Sequence, residues 1–105
     1  MQFRDIVLIQ SSIDNGRIYF PISDAKFFPA DSLADRATDG HKGKLVLFRA
    51  GSFEIKTDVR ISSGQRISPR KTFASFIKSV FASAGDKLRV VRTGEREYTV
   101  EHIRV

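Results

Sequence analysis

Alternating apolar and polar positions predict a chain built mainly from short β-strands. The alternation is clearest over residues 53–59, where Phe53, Ile55 and Val59 are separated by charged side chains, as in a half-buried strand. The pattern predicts six or seven strands, of which six can be bounded: 5–10, 17–22, 44–49, 53–59, 87–92 and 97–105. Asn15-Gly16 is a strong turn signal, so we expect a turn over 11–16 that joins the first two strands into a hairpin.

Two segments have helical patterns. The longer spans residues 69–84, with Ser68 as the predicted N-cap and Gly85 as the predicted left-handed C-terminal cap. Its apolar face recurs at the helical period and is assigned to the core; it comprises Phe73, Phe76, Ile77, Val80 and Phe81. A shorter helix is predicted over 31–37, followed by a loop to residue 43.

The order of these elements, ββαββαββ, predicts a mainly β fold with two helices. Short, mostly antiparallel strands at this spacing favour a barrel or a strongly curved sheet with helices at its ends. A chain of 105 residues with nine phenylalanines is sufficient for one hydrophobic core. We therefore expect a single domain over 1–105. Further core candidates are Phe20, Phe27, Phe28, Phe48 and Phe53.

The chain contains no cysteine, which excludes disulfides and thiolate metal sites. Residues 1–10 lack the features of a signal peptide, and no run of about 18 apolar residues is present. These features predict a soluble protein that does not act at a membrane, located in the cytoplasm, or in the nucleus of a eukaryote.

Catalytic patterns are missing from the sequence. His41 and His102 are far apart and have no metal-ligand spacing; we expect the first in a polar loop and the second in a structural position. No nucleophile elbow, phosphate-binding loop or dinucleotide fingerprint occurs. We predict that the protein is not an enzyme, has no catalytic residue and requires no metal or cofactor.

The positive charge is concentrated in one segment. The formal net charge is +6, and residues 60–85 contain five of the 18 Lys and Arg residues but none of the 12 Asp and Glu. Within residues 60–71, basic side chains could contact phosphates, while Gln65 and Arg66 have the right groups for base edges. Charge alone leaves two interpretations open, a nucleic-acid contact or a solvated loop.

The order of motifs resembles the B3-type DNA-binding pseudobarrel of plant transcription factors and of the recognition domains of some bacterial restriction endonucleases. The similarity extends over about residues 17–104. Its motifs are the strand and turn over residues 18–24, the Pro step at 28–30, the strand pair over 44–59, the aromatic helix motif at 73–78 and the closing Gly-Asp hairpin from residue 85.

This resemblance implies an open seven-stranded, mostly antiparallel pseudobarrel that binds double-stranded DNA without catalysis. In that family two arms grip the major groove, and sequence preference follows. By position, the first arm corresponds to Ser23, Asp24 and Lys26, and the second lies within residues 60–71. The implied DNA-binding residues are Ser23, Lys26, Arg60, Ser63, Gln65, Arg66, Arg70 and Lys71. Lys26, Arg60, Arg70 and Lys71 would contact phosphates.

Two other functions remain open from the sequence. A related PUA-like barrel would bind RNA or a modified base and would need exposed aromatic residues such as Tyr19 or Tyr98. A protein-interaction module, such as an adaptor or an inhibitor, would bind its partner without nucleic-acid affinity. The sequence does not indicate an oligomeric state.

Overall fold

A computed structural model describes residues 2–35, 43–62 and 65–105 of the chain. Within these ranges it contains nine strands, two α-helices and two 3-10 helices. The strands are β1 (Phe3–Val7), β2 (Phe20–Pro21), β3 (Leu33–Asp35), β4 (Val46–Ala50), β5 (Phe53–Thr57), β6 (Val59–Ser62), β7 (Arg66–Pro69), β8 (Lys87–Arg92) and β9 (Glu97–Ile103). The α-helices are α1 (Gln10–Asn15) and α2 (Ala74–Ser79), and the 3-10 helices are Ile22–Phe27 and Ala30–Ser32.

The strands form two mixed sheets that do not close into a barrel. The five-stranded sheet has the order β1-β8-β9-β4-β5, and the four-stranded sheet has the order β2-β7-β6-β3. Most neighbours are antiparallel, but β3–β6 and β4–β9 are parallel. The prediction of a mainly β, mostly antiparallel open pseudobarrel is confirmed, but the described residues contain nine short strands rather than seven, and of the two predicted helices only the second has an α-helical counterpart, α2.

A cluster of aromatic side chains fills the space between the sheets. Phe20, Phe28 and Tyr98 are buried, and the rings of Phe20 and Phe28 meet edge to face at 5.0 Å. Phe48 stacks on Tyr98 at 4.9 Å. Because such pairs have preferred geometries and contribute beyond their buried area, they fix the separation of the two sheets. The Phe core assignments hold with two exceptions: Phe53 is only partly buried, and Phe81 is exposed.

The predicted N-terminal hairpin is wrong. Residues 10–15 form the short helix α1 rather than a turn, and Gly16 ends it in the left-handed conformation. A Cβ on Gly16 would lie 2.5 Å from Cβ of Ala74, so glycine also permits close approach of the two helices. Strand β1 instead pairs with β8, where Asp5 lies opposite Arg89 and accepts two hydrogen bonds from it. Strand β1 therefore pairs with a strand that is distant in sequence instead of with the next segment of the chain.

The predicted long helix is also wrong in its extent. Ser68 and Pro69 belong to β7, so Ser68 does not cap a helix, and α2 begins only at Ala74. After Ser79 the helix ends in a turn in which the Ala82 N–H bonds the Ile77 carbonyl at 3.2 Å. Gly85 has the expected positive φ of 98°, but its N–H bonds Leu8 at the end of β1 rather than capping the helix.

Two other predicted segments differ from the structure. The short helix expected over 31–37 is a single 3-10 turn followed by β3, which pairs with β6; residues 36–42 lie outside the described ranges. The loop expected after residue 59 is a β-hairpin made of β6 and β7. No helix in the described residues is long and apolar enough to cross a membrane.

Candidate nucleic-acid interface

The hairpin of β6 and β7 carries the residues predicted for the second arm. Its register places Arg60 opposite Ser68 and Ser62 opposite Arg66. The Gln65 N–H donates to the Ser62 carbonyl at 3.1 Å, which closes the turn. The side chains of Gln65 and Arg66 are exposed, and we call these two residues the hairpin tip. The predicted contact Ser63 lies outside the described residues.

The residues predicted for the first arm lie on the 3-10 helix Ile22–Phe27, which we call the first arm. Ser23 and Lys26 are exposed. Asp24 is half-buried and accepts a hydrogen bond from Nε of Arg4 at 2.9 Å. At its end the first arm is anchored by Phe27, whose carbonyl accepts a 2.7 Å hydrogen bond from the buried Tyr98 hydroxyl.

The first arm and the hairpin tip are adjacent because β2 pairs with β7. That register sets Pro21 opposite Arg66, and the Ile22 N–H donates to the Gln65 carbonyl at 3.2 Å. The 3-10 helix therefore starts directly beside the hairpin tip. Two segments separated by about 40 residues in the chain are thus hydrogen-bonded into one surface.

Arg66 is supported by an aromatic ring rather than by an acid. Its guanidinium carbon lies 4.3 Å from the ring centroid of Tyr19, the residue directly before β2. A cation over an aromatic face is stabilised by the ring quadrupole, and this contact does not use up the guanidinium N–H groups as hydrogen-bond donors. This geometry holds a planar, charged donor at the surface.

The positive charges at this surface are not cancelled by nearby acids. Among the described residues, arginine–carboxylate ion pairs join Arg4 with Asp24, Arg49 with Glu97, Arg70 with Asp58, Arg89 with Asp5 and Arg96 with Asp31. By contrast, Lys26, Arg66 and Lys71 form no ion pair with any acid in the described part of the chain. Two of these pairs lie in the predicted arms, Arg4 with Asp24 and Arg70 with Asp58, whereas the charges of Lys26, Arg66 and Lys71 are available to an anionic ligand.

Arg70 is bound to a buried carboxylate. Its Nε and Nη2 donate to the two oxygens of Asp58 at 2.7 and 2.9 Å, and its backbone N–H donates to the Asp58 carbonyl at 3.0 Å. The Asp58 side chain is 4% exposed. Burial raises the pKa of Asp58, but the hydrogen bonds from Arg70 and from the Gly43 N–H outweigh it and lower that pKa overall. Arg70 therefore joins the β5–β6 connection to the end of β7.

Arg60 and Lys71 lie away from the hairpin tip. Arg60 is partly buried on β6, two positions before the turn begins at Ser62. Lys71 follows β7, where its N–H donates to the Thr57 hydroxyl at 3.0 Å while its side chain is exposed. At about 3.3 Å per residue, Lys71 is roughly 16 Å along the chain from Arg66. The predicted residues of the second arm therefore lie at two places: Gln65 and Arg66 at the hairpin tip, and Arg60 and Lys71 farther from it.

Asp86 and His102 form a pair near the C-terminal end of the chain. His102 Nε2 lies 2.8 Å from Oδ2 of Asp86, and both side chains are less than a tenth exposed. The Ser83 N–H, then His102, lower the pKa of Asp86 to about 2. The pair ties β9 to the segment before β8, in agreement with the structural role expected for His102. His41 lies outside the described residues, and within those residues no three His, Asp or Glu side chains are grouped for a metal ion.

Tyr98 cannot line a base-binding pocket, contrary to the requirement of the PUA-like alternative. It is fully buried, and burial raises its pKa to about 12. The ring face of Tyr19 is covered by Arg66.

The sequence did not reveal the roles of Arg4 and Tyr19, since the partner of each is a residue distant in sequence that only strand pairing brings close.

No protein-family model and no curated protein matches this chain in sequence. In structure the chain is similar to the protein of the Arabidopsis FUS3–DNA complex, with a TM-score of 0.68, 13% identity and coverage of 99% of each chain. It is also similar to the N-terminal domain of Helicobacter pylori LlaJI.R1, with a TM-score of 0.68, 14% identity and coverage of 100% of this chain and 89% of that one. The chain therefore has the B3-type fold that its sequence motifs resemble.

Proposed function

We propose that this protein is a non-catalytic domain that binds double-stranded DNA through the first arm and the hairpin tip. The observation that carries the proposal is their junction, the 3.2 Å hydrogen bond from Ile22 to Gln65, which sets Ser23 and Lys26 beside the exposed Gln65 and Arg66. The B3-type fold and the unpaired positive charge of this surface support it.

In this proposal the hairpin tip contacts the edges of bases. Arg66 has the fork geometry that matches O6 and N7 of guanine in the major groove, and Gln65 can pair with adenine. Ser23 and Lys26 lie across the junction, where they would fix the register on the backbone. Ser63, which is also expected to contact DNA, lies outside the described residues.

The other basic residues take different roles. Arg60 and Lys71 would contact phosphates on either side of the base pairs that the hairpin tip contacts. We assign Arg70 a structural role instead of the expected phosphate contact, because its guanidinium is already held by Asp58 at two points. Three phosphate contacts, from Lys26, Arg60 and Lys71, predict a slope of about −3 in a plot of log K against log salt.

The test is fluorescence anisotropy with one sequence prepared as duplex DNA, single-stranded DNA and duplex RNA, each measured between about 50 and 200 mM salt. We expect duplex DNA to bind most tightly, with an affinity that falls steeply with salt. Tighter binding of RNA or of the single strand would favour the PUA-like alternative. The absence of binding to all three ligands would overturn the proposal.

Matched variants distinguish contacts to base edges from contacts to phosphates. Arg66→Ala should cost about 1–3 kcal/mol on the preferred duplex and relax preference at one position, whereas Lys26→Ala should weaken all duplexes alike. Lys87→Ala provides the control, because Lys87 is an exposed lysine on β8 in the other sheet. Equal losses for Arg66→Ala on every duplex would remove the base-reading role.

A further inference from the structure

Phe81 occupies a backbone position that normally requires glycine. Helix α2 ends in a Schellman motif: the Ala82 N–H bonds the Ile77 carbonyl at 3.2 Å and the Phe81 N–H bonds the Lys78 carbonyl at 3.1 Å. This motif puts Phe81 in the left-handed region, with a φ of 53°. It is the one non-glycine residue with positive φ among the described residues. A bulky side chain is disfavoured there.

The Phe81 side chain gains no burial in return. It is 81% exposed, the highest value for a phenylalanine in the described part of the chain. Glycine at this position would relieve the strain and remove an exposed aromatic ring. Backbone strain at an exposed apolar residue is typical of positions used for binding. Phe81 is therefore better suited to a contact with another molecule than to its own fold.

Phe81 stands at one wall of an apolar groove between α1 and α2. The groove has a volume of about 310 Å³, and its apolar lining also includes Ile13, Ala74, Ile77 and Ala82. Its polar lining is one acid and one base, Asp14 and Lys78. Both are exposed, and neither forms an ion pair with a described residue.

We propose that this groove binds a second copy of the same chain, across a two-fold axis. In such an interface the same patch meets itself, so a protruding group must lie beside a recess and each charge beside its opposite. The lining of the groove contains both elements, the exposed ring of Phe81 at the recess and the opposite charges of Asp14 and Lys78. Each Phe81 would enter the other copy's groove, and Asp14 of each copy would face Lys78 of the other.

Self-association is measured by sedimentation velocity over a concentration series, without nucleic acid, at about 0.15 M salt so that the net charge is screened beyond roughly 8 Å. A patch of this size belongs to the weak class of interfaces, so we expect a dissociation constant between about 1 µM and 1 mM. Phe81→Gly should weaken the dimer at least tenfold. A wild-type protein that stays monomeric up to 1 mM, or Phe81→Gly that dimerises like wild type, overturns the proposal.

Thermal unfolding distinguishes loss of contact from loss of fold. Because glycine tolerates the left-handed conformation, Phe81→Gly should unfold at a temperature no lower than the wild-type monomer. The matched control is Leu45→Ala, which removes another exposed apolar side chain that lies outside the groove. The control should dimerise like wild type; a loss equal to that of Phe81→Gly would contradict a specific role for the groove.

Charge reversal tests the two-fold arrangement itself. Asp14→Lys and Lys78→Asp should each abolish self-association, since like charges then face each other. An equimolar mixture of the two variants should form a heterodimer, because both cross-axis pairs are again of opposite sign. A mixture that stays monomeric, when each variant is folded, would refute the two-fold pairing. Because no DNA is present, these results are independent of the proposed DNA binding.

Discussion

Replacing Arg70 with alanine separates a structural arginine from a DNA-contacting one. The change removes both side-chain hydrogen bonds to Asp58, whose carboxylate is 4% exposed, and leaves it with the Gly43 N–H. Breaking a buried pair costs about 3–5 kcal/mol. Because the Arg70 side chain is 33% exposed, water screens the pair and the low end applies, about 3 kcal/mol. Urea unfolding should show a midpoint lower by roughly 1–3 M.

Lys71→Ala is the matched control, since Lys71 is the next residue and its side chain is exposed. It should change the free energy of unfolding by no more than about 0.5 kcal/mol and reduce the salt slope of duplex binding by about 1. Arg70→Ala should leave that slope unchanged for the folded protein. If Arg70→Ala were as stable as wild type and lost one unit of salt slope, the structural assignment would be refuted.

Three further changes test the core, the tip and the C-terminal pair. Tyr98→Phe leaves the buried carbonyl of Phe27 without its hydrogen bond and should lower the free energy of unfolding by about 1–3 kcal/mol, measured with urea. Tyr19→Leu removes the ring under Arg66 and should weaken binding to the preferred duplex about two- to five-fold, with less effect on random duplex; equal effects on both would argue against positioning. The pKa of Asp86 is lowered from 3.8 to about 2, so its contribution to stability is complete above about pH 4 and is lost as pH falls toward 2. Asp86→Asn should therefore flatten the dependence of unfolding on pH in this range, and an unchanged profile would contradict the assignment.

The sequence predicted the elements whose patterns are local. Strands β5, β8 and β9 alternate in polarity over most of their length, and each was expected close to its observed bounds. The mainly β class followed from these strands. The order of motifs then indicated the B3-type arrangement, since a fold can be inferred from several weak signals in the correct order.

The elements that were wrong depend on tertiary contacts. Residues 10–15 carry turn signals, yet they form a helix whose last carbonyls are capped by Gly16. Residues 80–84 include Ala82 and Ala84 and continue the apolar face of the predicted helix, but α2 ends at Ser79, and the Gly85 N–H bonds the Leu8 carbonyl directly after β1. Propensity is a weak preference, and a few long-range hydrogen bonds are sufficient to override it.

The sequence indicated which residues make up the candidate site but not which side chains they contact. The absence of acids between residues 60 and 85 pointed to the β6–β7 hairpin, because charge can be counted along a chain. The sequence could not show which arginine is held by an acid, because Asp58 is twelve residues from Arg70 and comes beside it only when the hairpin forms. The stacking of Arg66 on Tyr19 similarly depends on the β2–β7 register.

The proposed location of the DNA-binding surface is tested most directly by NMR, with backbone amide shifts recorded during titration with duplex DNA. An 11.8 kDa chain is well suited to this measurement. The largest changes should fall on Ser23, Lys26, Gln65 and Arg66, with smaller ones at Arg60 and Lys71. Changes confined to α1, α2 or the five-stranded sheet would contradict the account.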